Sequence, residues 1–294
     1  MFEGFKKATY QCNGIQIQAV IGGSGPPLLM LHGFPQTHVM WAKVAPMLAK
    51  SYTVVCSDIR GYGNSGKPTV SEDLSNYSFR EMAKDQLELM LQLGFEQFHM
   101  IGHDRGARVT HRLSIDHPET LLSVSLLDII PLYEVFSKVD RHIAKAYWHW
   151  YFLQQPSPYP EEIILANPDH FYEGCLFGWG SAQAEHFDPE QLAAYRHAWR
   201  QKDNIYGSCA DYRAAANVDF LMDEKDLGKQ VHIPALVLWG ANGIMGKLFD
   251  MQETWSKTYP LLQSKPMSGG HFFVDQYPQE TAEVLLEFLN STNK

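Results

Sequence analysis

The chain has 294 residues, 45% of them hydrophobic and 19% charged, enough to bury one large core together with a smaller insert. Its formal net charge of −9 leaves no basic excess to release counterions, which argues against nucleic acid or an anionic membrane as partner and makes any local arginine cluster informative. The opening MFEGFKKATYQ has no apolar core of roughly 7 to 15 residues and no later run of about 18 apolar residues occurs, so the expected address is cytoplasmic.

In chain order, residues 14–23 read as an antiparallel hairpin strand, and short apolar runs over 27–31, 52–56, 98–101, 122–127 and 235–239 read as strands. Between them, apolar residues at i, i+3 and i+4 mark helices over 40–50, 79–93 and 106–117. This alternation predicts a mainly parallel sheet with helices on both faces. After Asp128 the rhythm stops. Residues 132–220 show no strand alternation and are rich in aromatics, as in YWHWYF (147–152), FYEGCLFGWG (171–180) and QLAAYRHAW (191–199). They read as a helical cap, inserted into a core of residues 1–131 and 221–294, with its own aromatic packing and a pocket-facing side. The four cysteines (Cys12, Cys56, Cys175, Cys209) have no C-x-x-C spacing and fit reduced core thiols better than disulfides or zinc ligands. No H-E-x-x-H spacing occurs either.

One motif is a decoy. Residues 61–66, GYGNSG, spell G-x-G-x-x-G after a strand, but Lys67-Pro68 and the polar VSEDLSN follow where a dinucleotide site needs a helix. A second motif carries chemistry. GHDRG (102–106) lies between a predicted strand and a predicted helix, where flanking glycines permit a sharp turn that exposes the central side chain. The central residue is Asp104, not serine. A serine needs a base to become nucleophilic and suits attack on a carbonyl, whereas an aspartate is already ionised near neutral pH and can displace a leaving group from saturated carbon. The resulting ester must be cleaved by water, which requires a base. His271, in the late Gly269-Gly270-His271, is the candidate.

That base needs an orienting carboxylate. After the strand that follows the cap, Gly243 stands where an acid is expected, while Asp128 ends the strand before the cap with two apolar residues on either side. Asp128 is chosen over Asp250. Backbone N–H groups of the HGFP turn (32–35), with that of Arg105, would face the oxyanion formed by water attack; Phe34 is the expected donor, its ring a pocket wall. Arg105 and Arg108, three apart at a helix start, share a face. Two unit charges at 4 Å repel by about 4 kcal/mol at an effective dielectric of 20, which would slow attack of Asp104 on an anionic substrate roughly a thousandfold. Two guanidiniums holding a substrate carboxylate would offset that repulsion, so a small 2-substituted acid fits the pair.

With Asp104, Asp128, His271, HGFP and DIRGYGNS (58–65) together, nearly the whole sequence resembles the α/β-hydrolase superfamily, and HDRGAR with YWHWYF resembles its haloacetate dehalogenases, including those that cleave fluoroacetate. The resemblance implies an α/β-hydrolase fold with a mainly parallel eight-stranded sheet and an inserted helical cap. It implies that Asp104 displaces halide from a 2-haloacetate, that His271 paired with Asp128 activates water to release glycolate, and that Arg105 and Arg108 hold the carboxylate. It further implies a halide pocket of His149, Trp150 and Tyr212, a reaction without cofactor or metal, and a homodimer. Three neutral donors of this kind suit a departing fluoride; for Tyr212, in CADYRAA, cap packing explains the residue equally well. Trp179 is a further candidate for the same cavity. Haloalkane dehalogenases and epoxide hydrolases typically carry Trp where this chain has Arg105, so an epoxide hydrolase of the same fold, and a hydrolase-fold binding protein without turnover, are the competing readings.

Overall fold

The computed structural model describes residues 1–178 and 182–292. Eight strands form one sheet in the order β1-β2-β4-β3-β5-β6-β7-β8: β1 (Lys6–Cys12), β2 (Ile15–Gly23), β3 (Pro27–Leu31), β4 (Thr53–Ser57), β5 (Phe98–His103), β6 (Leu121–Leu127), β7 (Ala235–Gly240) and β8 (Leu262–Met267). β2 is antiparallel to both of its neighbours, and every pairing from β4 to β8 is parallel. The central strands β3 and β5 are almost wholly buried, and β3 is apolar throughout, as a sheet covered on both faces requires. This is the α/β-hydrolase architecture.

Two strands escape the periodicity. β1 and β8 are edge strands whose sequences, KKATYQC and LQSKPM, are largely exposed and polar, so they lack the apolar run that marks a strand. Pro266 is tolerated in β8 because an edge strand has one side with no ladder to complete. The helix expected over 40–50 is a correction. The chain instead makes a 3₁₀ turn at His38–Ala42 and a short helix at Ala45–Leu48, because Pro46 has no N–H for the Ala42 carbonyl and is suited to a first turn.

Between β6 and β7 the described chain is helical from Leu132 onward, with no strand. The last stretch, Lys202–Ala214, passes through a π segment at Ala215–Asp219 into Phe220–Lys225, so helix continues across position 220. No described helix is long and apolar enough to cross a membrane.

Strand order reverses between β3 and β5, the position at which open α/β sheets place their ligands. The turn after β5 is tight enough that a Cβ on Gly106 would lie 2.6 Å from the Leu31 carbonyl oxygen. Gly106→Ala is therefore expected to destabilise the protein by about 1–3 kcal/mol in urea unfolding, through forced separation of helix and sheet.

Candidate active site

β5 delivers the chain to Asp104 at φ 47°, ψ −115°, a conformation that L-residues rarely adopt, and the helix Arg105–Asp116 starts at the next residue. Asp104 occupies the N-cap position, yet its side chain makes no capping hydrogen bond. Its Oδ1 instead accepts the backbone N–H of Phe34 at 2.9 Å, from the turn that follows β3. Burial opposes the charge of Asp104, but His271, His103, Arg105 and the Phe34 N–H outweigh it and leave its pKa below the ordinary 3.8. The carboxylate is thus ionised at neutral pH.

Asp128 follows β6 and also sits at positive φ, 55°. One of its oxygens accepts the backbone N–H of Gly240 at 2.9 Å, and the other lies 2.5 Å from His271 Nδ1. Asp250 is elsewhere, capping the helix Met251–Ser256. A Cβ on Gly243 would lie 3.7 Å from Asp128 Oδ1, so the acid from β6 occupies the region that a side chain from the β7 loop would enter. With Nδ1–H given to Asp128, neutral His271 carries its lone pair on Nε2, 3.9 Å from Asp104 Oδ2. That separation exceeds a hydrogen bond. A serine nucleophile needs such a bond to lose its proton, and a carboxylate has none to lose. Burial lowers the pKa of His271, but the hydrogen bond and charge of Asp128 reverse this and raise it above 6.5.

A cavity of about 210 Å³ lies between core and cap, lined by Asp104, Asp128 and His271 from below and by Tyr147, His149 and Trp150 from the cap helices. Burial drives the pKa of His149 well below 6.5, which leaves a neutral imidazole with one N–H to donate. Its ring stacks nearly parallel to that of Phe34, centroids 6.1 Å apart, and Tyr212 meets both rings edge-on. Tyr212, its phenol raised well above 10 by burial, remains a neutral O–H donor. Phe34, Tyr212 and Arg108 border it through its lining residues, Phe34 bonded to Asp104, Tyr212 against the His149 ring and Arg108 over the Trp150 ring, and Arg105 lies against Tyr212.

The two arginines differ. Arg105 is fully buried and bonded to Asp211 of the cap, through Nε at 2.7 Å and through a second, shorter contact from Nη2. Among the described residues no hydrogen bond engages its Nη1. Arg108, 3% exposed, donates from Nη1 to the Ile130 carbonyl at 3.2 Å, while its Nε and Nη2 have no described partner. Its guanidinium lies 5.0 Å from the centre of the Trp150 ring. Burial and the neighbouring Arg105 lower its pKa, and the position is that of a desolvated cation.

Several contributors escaped sequence reasoning. Asp211 could have been noticed as the acid in ADYRAA, directly before Tyr212, and Tyr147 stands inside YWHWYF; Ile244 and Met245, also on the cavity wall, carry no local signal. His103 donates from Nε2 to the His271 carbonyl at 2.8 Å, which ties down the loop that bears His271. Trp179 lies outside the described residues.

The sequence model for the alpha/beta hydrolase fold matches residues 26–278. Over 99% of its length the chain is 57% identical to a fluoroacetate dehalogenase from Burkholderia sp, 95% of which it covers. It is 27% identical, over 94% of each chain, to a soluble epoxide hydrolase from Corynebacterium sp. (strain C12). A solved structure of an α/β-hydrolase-fold protein from Nostoc sp PCC 7120 superposes with a TM-score of 0.96 at 44% identity, covering 98% of this chain and 99% of that one. The chain belongs to the α/β-hydrolase family.

Because the folded-state pKa of His271 is raised, the Asp128–His271 pair stabilises the fold below pH 6.5 and loses that contribution as pH rises through the folded value. An NMR titration of the His271 ring is expected to give a midpoint above 6.5, and Asp128→Asn to move that midpoint downward. An unchanged midpoint in the variant would show that another group sets it.

Proposed function

We propose that this enzyme is a haloacetate dehalogenase, converting fluoroacetate, chloroacetate and bromoacetate to glycolate and halide. In the first step a carboxylate oxygen of Asp104 forms a bond to C2 of the substrate while the carbon–halogen bond breaks, its electron pair leaving as halide. His149, Trp150 and Tyr212 are the donors that receive the halide. The product is an ester of Asp104. In the second step a water molecule gives a proton to Nε2 of His271 and attacks Cγ of Asp104, with Asp128 stabilising the imidazolium. The oxyanion falls on the oxygen that already accepts the Phe34 N–H. Its collapse expels the glycolate oxygen, which takes the proton from His271, and Asp104, left with one oxygen from water and the water's second proton, releases that proton to solvent and is a carboxylate again. Nucleophile, base and water complete the chemistry without a cofactor.

The observation that carries this reading is Arg108: a buried cation with two donor nitrogens unengaged among the described residues, beside an anionic nucleophile, is complementary to a small carboxylate. The 57%-identical fluoroacetate dehalogenase supports the same substrate class. Halide release from fluoroacetate and chloroacetate, measured against turnover of a neutral epoxide, tests it; no halide from either acid would sink it. The same reading takes the enzyme to be a cytoplasmic homodimer, which sedimentation velocity would check.

His271→Ala is expected to stop after the first step. Intact-mass analysis should then show one substrate-derived carboxymethyl group trapped on Asp104, and an unmodified mass after stoichiometric halide release would contradict the order of steps. Arg108→Leu is expected to lower kcat/KM for haloacetates by roughly a hundredfold, the scale of losing a buried charged partner. Its thermal stability should be equal or higher, because the change removes a desolvated, partly unpaired cation.

A further inference from the structure

The glycine-rich loop after β4 has no use as a nucleotide site, but it has a neighbour. Gly61, at φ +86°, meets Gly207 of the cap helix Lys202–Ala214 backbone to backbone: a Cβ on Gly207 would lie 2.7 Å from Gly61 Cα, and one on Gly61 3.3 Å from Gly207 Cα. Only paired glycines allow this approach. One helical turn after Gly207, on the same face, comes Asp211. The close pass brings the hydroxyl of Tyr62, next to Gly61, to donate to Asp211 Oδ2 at 2.7 Å. The same carboxylate receives Arg105, whose Nη2 donates also to the Asp211 main-chain oxygen at 3.1 Å. The rings of Tyr212 and Phe79 lie 4.2 and 4.6 Å from the centre of the guanidinium. Arg105 is therefore fixed along one edge and packed between aromatics.

Why this matters follows from its address. Arg105 directly follows Asp104, and a guanidinium seeks the two oxygens of a carboxylate. A fork from Arg105 onto Asp104 would occupy the oxygens that must attack carbon and would stabilise the ground state, not the transition state. Asp211, wholly buried, offers the competing fork. Burial works against the charge of Arg105 and Asp211 more than restores it, so Arg105 still lowers the pKa of Asp104 from a distance. Charge balance also changes: Asp211 offsets the charge of Arg105, so the uncompensated positive charge available to a substrate anion rests on Arg108.

We propose that Asp211, with Tyr62 behind it, is a positioning residue that holds Arg105 off the nucleophile. The inference rests on the haloacetate reading. A double-mutant cycle tests it, with bromide release from bromoacetate measured for Asp211→Asn, Arg105→Leu and the double variant. Asp211→Asn alone is expected to lower kcat roughly a hundredfold, the scale of a misplaced catalytic group, with KM unchanged or lower because an extra positive charge now attracts the acid. In the Arg105→Leu background the same change should cost nothing, since no guanidinium remains to misplace and the unpaired Asp211 charge is relieved. Should Asp211→Asn fail to fold, Tyr62→Phe keeps the ion pair and is expected to lower kcat roughly five- to tenfold, a loss that likewise disappears in the Arg105→Leu background. Equal losses in both backgrounds, or wild-type kcat in both single variants, would overturn the proposal. Absence of bromide release from the unaltered enzyme would remove the haloacetate reading itself.

Discussion

The proposed attack of Asp104 on carbon requires a carboxylate that remains charged while buried, and the rest of this site can be read as the means of meeting that demand. Burial alone would push Asp104 toward its neutral form. The sharp turn after β5 keeps the side chain out of the helix cap, where it would have been spent on backbone N–H groups. The Phe34 N–H then supplies one hydrogen bond to Oδ1, and nearby cationic and imidazole groups supply field. Oδ2, by contrast, lies 3.9 Å from His271, too far to be tied up. Ionisation without full pairing is what separates a nucleophile from a structural ion pair.

The cap is held to the core by polar bonds as well as apolar packing, and this explains why the site can be built from both. Gln36, two residues after Phe34, donates to Asp275 at 2.8 Å and to the Tyr195 hydroxyl of the cap at 3.1 Å. Asp275, four residues beyond His271, has its pKa pushed up to about 7 by burial. The Arg105–Asp211 pair makes a second crossing, and the hydrogen bond from Phe79 N to Asp219 of the π segment a third. Each of these buried bonds would leave an unsatisfied partner if the cap shifted, so together they specify one cap position over the cavity. The proposed halide pocket needs that definition, because its candidate donors stand on two separate stretches of chain.

Several features were legible because local pattern and global fold agree. The apolar runs that became β3 to β7 are buried on both faces, and GHDRG lies where strand passes into helix. The exceptions have physical causes. Edge strands β1 and β8 face water and carry no hydrophobic signature, and Pro46 divides what periodicity alone presents as one helix. Arg105 and Arg108 read as an equivalent pair from spacing, yet only one of them is charge-compensated.

The sequence by itself determined the α/β order, the inserted helical stretch after Asp128, the carboxylate in place of a serine, and a late histidine as the candidate base, since each depends on residue type and short-range spacing. Only the tertiary structure decided that Asp128 and not Asp250 meets His271, that Asp211 claims Arg105, and that Arg108 keeps two donor nitrogens unengaged among the described residues. The two pairings, Asp128 with His271 and Asp211 with Arg105, join groups more than a hundred residues apart. Which carboxylate pairs with which cation is settled by how close two buried charges are brought and by which polar atoms are left to satisfy them, and neither is encoded in local order.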